Sequence, residues 1–149
     1  MGKYSAIGEC ANTANTTIIN LFGSAAVRPK IYDLIIGSDA SAADNATEYN
    51  LQRTTAVGTE GSGFTPVPLD SLTVASTADA GVGVFGAEPT YTANAVLLEV
   101  ALNQRATFRW VAAPDGQIIL TAASGNGVGV RSITTSAAIN VSVTLHFEE

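Results

Sequence analysis

From Ile139 to Phe147 apolar and polar residues alternate without a break: Ile139, Val141, Val143, Leu145 and Phe147 interleave with Asn140, Ser142, Thr144 and His146. Side chains leave a strand on opposite faces in turn, so this period of two predicts a half-buried strand and excludes a helix. The pattern recurs upstream. Over 94–102, Val96, Leu98, Val100 and Leu102 share one face, with Ala95, Leu97, Glu99 and Ala101 on the other. Over 107–112, Phe108 and Trp110 oppose Arg109 and Val111. Pro114-Asp115-Gly116 then predicts a turn, because proline presets φ and glycine accepts a positive one. A strand over 117–122 completes an expected three-stranded meander.

The first half reads as strands over 4–10, 16–22, 30–37 and 48–54, where β-branched and aromatic residues lie between Asn, Gly, Pro and Ser breaks. No stretch supports a long amphipathic helix, although Ala42, Ala43 and Ala46 allow a turn or two within 41–49. The middle third, 55–92, is rich in Gly, Pro, Ser and Thr and predicts long loops, with short strands at most near 69–74 and 82–85. At 149 residues the chain has the length of one domain. The expectation is an all-β fold, a single-domain two-sheet β-sandwich over 1–149. It should be jelly-roll-like rather than immunoglobulin-like, because no Cys…Trp…Cys framework is present. Residues 1–12 would form an edge strand or an arm exchanged with a neighbour.

Composition narrows the partners. The single cysteine, Cys10, allows no internal disulfide and its alternation places it in packing. Charged residues are only 13% of the chain and apolar ones 46%, which excludes charge-driven disorder and coiled coil. A net charge of −6, with seven Lys plus Arg scattered singly, opposes binding to a phosphate backbone, so no nucleic-acid partner is expected. No window reaches about 18 apolar residues, and the opening residues lack the apolar stretch of a secretory signal. Insertion into a membrane is not expected, and folding in a cytoplasm is.

Motifs for chemistry are few. His146 is the only histidine and falls on the polar face of its strand, so no catalytic triad or metal set assembles around it by spacing. Gly81-Val82-Gly83-Val84-Phe85-Gly86 has the letters of a dinucleotide fingerprint, but Glu88-Pro89-Thr90 follows where a helix is needed. It reads as a loop or bulge, and Gly125-Asn126-Gly127-Val128-Gly129 as a flexible hairpin or loop. Asp39, Asp44 and Glu48 lie close together without the alternating pattern of a calcium loop. Asn15, Asn45 and Asn140 open glycosylation triplets that predict nothing here without a secretory signal. No enzyme activity, cofactor or metal is expected.

Several strands instead carry apolar residues on both faces, whereas a sandwich buries one face per sheet. Over 30–37 the alternation places Tyr32, Leu34 and Ile36 on one side and Ile31 and Ile35 on the other. Leu97 and Ile119 likewise sit opposite otherwise clean inward faces. Either the middle loops cover the second face or a neighbouring subunit does. Among the few cations, Arg28, Lys30, Arg53, Arg105, Arg109 and Arg131 lie in or near strand-like sequence, and Arg109 would pair locally with Asp33 or Glu99 or with a neighbouring subunit. The candidate interface residues are Ile31, Ile35, Leu97, Arg105, Arg109 and Ile119.

The segments Ala26-Val27-Arg28-Pro29-Lys30-Ile31-Tyr32-Asp33-Leu34-Ile35-Ile36-Gly37, Ala87-Glu88-Pro89-Thr90-Tyr91, Asn103-Gln104-Arg105-Ala106-Thr107-Phe108-Arg109-Trp110-Val111-Ala112-Ala113-Pro114 and Leu145-His146-Phe147-Glu148-Glu149 resemble small structural proteins of tailed-phage virions, of the capsid cement or decoration type. The resemblance implies a β-sandwich, commonly a homotrimer, bound to the major capsid protein on the outside of the shell where its subunits meet. It carries no catalytic residues. A different class, a tail-associated or lectin-like module, would use Tyr49, Phe64, Phe85 and Tyr91 to stack on sugars. A third, a small hydrolase, would have only His146 and isolated carboxylates.

Overall fold

The computed structural model describes all residues, Met1–Glu149, and contains strands but no helix. The long strands are β1 (Lys3–Ala11), β2 (Thr17–Phe22), β3 (Lys30–Ser38) and β4 (Ala46–Ala56) in the first half. The second half supplies β8 (Thr90–Asn103), β9 (Phe108–Val111), β10 (Ile118–Ile119), β11 (Gly127–Thr135) and β12 (Asn140–Glu148). Three short strands lie between: β5 (Ser62–Phe64), β6 (Val67–Pro68) and β7 (Asp79–Val82). Every pairing is antiparallel, and the two halves meet strand for strand: β1 with β12, β2 with β11, β3 with β9 and β10, β4 with β8. The chain is thus a ribbon folded in half. Rolling that ribbon also pairs β12 with β3 and β11 with β4, which gives two sheets, β10-β3-β12-β1-β6 with β9 also on β3, and β5-β7-β2-β11-β4-β8.

The core between the sheets is a cluster of 21 buried residues. The alternating residues Ile139, Val141, Val143, Leu145 and Phe147 all enter it, and Phe147 stacks on Tyr4 with ring centroids 5.5 Å apart. Cys10 is buried there too, its thiol facing the Thr17 carbonyl, and burial, then Glu88 and Glu9, pushes its pKa up to about 11. At neutral pH it is a packed thiol rather than a thiolate.

Four expectations are corrected. The expected meander does not form, because β8 belongs to one sheet and β9 and β10 to the other. Along β3, Ile36 to Asp33 face Phe108 to Val111, and Ile31 and Lys30 face Ile118 and Ile119. β9 and β10 are therefore one edge strand, and Pro114-Asp115-Gly116 belongs to an excursion that interrupts it. Residues 1–12 are no free arm, since all nine residues of β1 are in register with β12 of the same chain. The window 41–49 forms no helix and runs into β4.

The fourth correction concerns the glycines. Gly127 and Gly129 lie in β11, a central strand, rather than in a flexible loop. Gly63, Gly81, Asn20, Gly129 and Gln52 form one row across five strands. This row is the floor of a seat. Tyr91 lies on Gly129, where a Cβ would come within 2.8 Å of its ring, and Phe85 and Glu60 lie on Gly81. The chain crosses the outside of this sheet twice, and the crossings are held together by the Thr59–Ala87 bridge. Glu88 accepts hydrogen bonds from the backbone and hydroxyl of Thr17, and Arg131 packs 4.1 Å from the Tyr91 ring centre while donating to Gln52 at 2.7 Å. The middle third thus straps over one sheet, but not the one that carries β3 and β10, so the loop cover expected for the second face of residues 30–37 and for Ile119 does not form there.

Gly129→Ala should lower stability by about 1–3 kcal/mol in thermal unfolding, because overpacking forces the Tyr91 strap outward. Gly37→Ala, whose Cβ would meet only Thr107 at 3.5 Å, should change it far less.

Candidate functional site: an open sheet face

The other sheet has no strap. Its outward side chains come from β1, β12, β3, β9 and β10, and the registers stack them in rows. Glu9, Ser142 and Gly37 form one row; Ile7, Thr144, Ile35 and Arg109 the next; Ser5, His146, Asp33 and Val111 the third; Lys3, Glu148, Lys30 and Ile119 the fourth. Polar residues fill the middle strand, and apolar side chains remain in solvent around it, Ile7 at 46%, Val111 at 57% and Ile119 at 38% exposure.

A bulge governs this face. Between β12 and β3, His146 faces Asp33 while Phe147 faces Ile31, so Tyr32 is the extra residue. An unpaired residue shifts the alternation by one position. Ile31 therefore turns inward with Leu34 and Ile36 and is 0% exposed. This corrects its place among the interface residues: its side chain adds about 1.5–3 kcal/mol to the core instead.

Asp33 is the electrostatic centre. Its carboxylate is 3% exposed and accepts two parallel bonds from Arg109, Nε to Oδ1 at 2.9 Å and Nη2 to Oδ2 at 2.8 Å. His146 Nδ1 lies 3.0 Å from Oδ2. Because a carboxylate only accepts, the neutral ring keeps its proton on Nδ1. The Arg109 bonds hold the Asp33 pKa below its ordinary value, against the opposing effect of burial, with His146 helping. Tyr32 stacks on His146 with centroids 6.2 Å apart, and the Lys3 ammonium sits 5.6 Å from the Tyr32 ring centre. Lys30 pairs with Glu148 at 3.7 Å. Arg109 itself remains 61% exposed while its Nε and Nη2 are held by Asp33, which fixes the plane of the guanidinium.

Of the six candidate residues, three meet here: Ile35, Arg109 and Ile119. Leu97 packs against the core from the other sheet, beside the bulge that separates the Leu51–Leu98 and Gln52–Val96 pairs. Arg105 is exposed elsewhere, 3.4 Å from Asp44. Of the two carboxylates considered for Arg109, the partner is Asp33. The sequence reading missed Ile7, Tyr32 and Val111, and treated His146 as isolated. Only the cross-strand register brings Asp33 to it, although Ile7 already stood out of phase with its strand's inward residues Tyr4, Ala6 and Cys10.

The other motifs disperse. Asp39 meets Asn140, Asp44 meets Arg105, and Glu48 meets Thr134, and no group of three ligands forms. Ser5 faces His146 in register, but its hydroxyl makes no hydrogen bond to the ring. The aromatic platform also dissolves: Tyr49 and Phe85 are buried, Phe64 packs against the core, and Tyr91 is pinned by Arg131 and by its hydroxyl contact with Thr17 at 2.7 Å. Burial pushes the Tyr91 pKa up to about 12. No helix is long and apolar enough to cross a membrane. No protein-family model matches the chain, and no curated protein does.

A carboxyl whose folded pKa is depressed stabilises the fold above its unfolded pKa of about 3.9, and that contribution is lost as pH falls through the folded value. Acid titration followed by circular dichroism should therefore show Asp33→Asn less stable than the parent at neutral pH, with the difference shrinking below about pH 4.

Proposed function

We propose that the chain is a jelly-roll structural protein of a tailed-phage virion that docks on the outer surface of the capsid and clamps neighbouring subunits of the major capsid protein. The alternation of first-half and second-half strands between the sheets suits a jelly-roll reading. The observation that carries the proposal is the asymmetry of the two outer faces. One is strapped, whereas the other presents Ile7, Ile35, Val111 and Ile119 around an Arg109 already oriented by Asp33. Apolar anchors around a preorganised guanidinium suit a protein contact, where Arg is enriched and uncompensated burial of its charge would be costly.

A cement protein needs rigidity and surface. The rolled ribbon supplies the first, since β1 pairs with β12 residue for residue and β3 is paired along both of its sides. Repetition supplies the second: a modest affinity per subunit multiplies when one oligomer touches several shell subunits. A homo-oligomer, a trimer by the resemblance, fits that arithmetic.

The test is binding of the purified protein to DNA-filled heads that lack this component. Saturable binding and greater survival of heated heads are expected, and Ile35→Asp should weaken binding by at least roughly tenfold, the equivalent of ~1.4 kcal/mol. Heads that neither bind the protein nor gain heat resistance from it would overturn the proposal.

A further inference from the structure

Each sheet has two edges, and three of the four are blunted. β9 and β10 are one strand broken in two, β6 has two residues and ends in Pro68, and β5 has three. β8 is different: it runs for 14 residues, pairs only with β4, and ends its sheet. Long edge strands are ordinarily protected by lysine, proline or a bulge. β8 holds no lysine, arginine or proline, its only charge is Glu99, and its bulges against β4 lie upstream of Leu98. From Leu98 to Asn103 it runs in unbroken register with Leu51 to Ala46.

That register identifies the free backbone groups. Gln104 N–H donates to the Asn45 carbonyl at 2.9 Å, in phase with the same ladder. Antiparallel strands alternate hydrogen-bonded and non-hydrogen-bonded pairs, so Leu102, Val100 and Leu98 also turn their N–H and C=O groups toward β4. Those of Glu99 and Ala101 point the other way, past the last strand, where only water or another strand can bond them. Side chains alternate as well. Leu98, Val100 and Leu102 pack against the core yet stay half-buried, and Glu99 and Ala101 are exposed.

We infer that β8 pairs antiparallel with β8 of a second copy about a two-fold axis at Val100, joining the two six-stranded sheets. The sequence of the edge selects this occupant. With Val100 opposite Val100, Glu99 of each copy faces Ala101 of the other, so free backbone groups meet free backbone groups and bond in both directions. Leu98 then lies opposite Leu102, which covers the half-buried row from the side that β4 does not reach. Charge agrees with the same axis, because an axis at Glu99 would set two carboxylates against each other. Glu48 faces Ala101 from β4 and stays two strand spacings, about 10 Å, from Glu99 of the second copy. The net charge of −6 on each copy adds a longer-range repulsion that salt screens. This contact is independent of docking on a shell, since it uses an edge of the strapped sheet and leaves the open face free. Its unit is a pair, where the resemblance implies a trimer.

Light scattering of the full chain between about 10 μM and 1 mM tests the contact. The mass should rise from the 15.2 kDa of one protomer to that of a pair, at lower concentration when salt is added. Ala101→Pro removes an N–H that the protein's own ladder does not use, so it should weaken pairing at least roughly tenfold while the melting temperature of the protomer holds. Two further variants at the same exposed position read the register by charge. Ala101→Lys, set opposite Glu99 of the other copy, should tighten the pair about threefold or more, and Ala101→Glu should weaken it by at least as much. Ile35→Asp, on the open face, should leave pairing intact. A parent that stays monomeric or forms trimers, pairing indifferent to Ala101→Pro, equal effects of Ala101→Lys and Ala101→Glu, or dissociation by Ile35→Asp would each overturn the inference. So would a monomeric parent whose Ala101→Pro variant lost binding to heads, since that result would give the edge to a strand of the shell.

Discussion

A two-sheet sandwich has four sheet faces and one core, so two faces are left to face water or to be covered. This chain has spare length in its middle third and spends it on one of the two. Gly81 and Gly129 make that cover close-fitting, because only residues without a Cβ let Phe85 and Tyr91 lie down on the sheet. Asymmetry follows directly. The strapped face becomes a second buried layer, rich in hydrogen-bonded Asn20, Gln52 and Thr54, and the bare one becomes the surface on which the molecule meets others.

The strapped layer is polar where a core would be apolar. Asn20 donates to Thr54 and to the Val128 carbonyl, Gln52 donates to the Thr92 carbonyl, and Arg131 bridges Gln52 and the Tyr91 ring. Hydrogen bonds of this kind add little net energy each, but leaving one unmade under the strap is costly. The layer therefore fixes the position of the crossings more than it drives folding. The drive comes from the aliphatic and aromatic cluster between the sheets.

On the bare side, a charged pair does the positioning. Asp33 could not stay buried without Arg109 and His146, and Arg109 would be a floppy surface cation without Asp33. Edge protection completes the picture. β9 and β10 are two pieces of one strand parted by the excursion around Pro114, and the opposite edge is the two-residue β6 ending in Pro68, so the open sheet offers its face rather than its edges.

What the sequence determined was whatever depends on near neighbours along the chain. The alternation over Ile139–Phe147 set β12 and its inward side, absence of helical periodicity set the class, and the alternation over 107–112 put Arg109 and Val111 on the face opposite Phe108 and Trp110. The tertiary structure decided everything that depends on register. The β12–β3 register brought Asp33 beside His146, 113 positions apart, and one unpaired residue at Tyr32 then sent Ile31 inward. A proline turn that reads as a hairpin became a gap in an edge strand, because β3 was long enough to pair with both sides of it. The glycine runs that read as loops became floor, since what they make room for, Tyr91 and Phe85, arrives from elsewhere in the chain. Local pattern records which face a residue prefers; which partner occupies that face is settled only when distant strands are laid side by side.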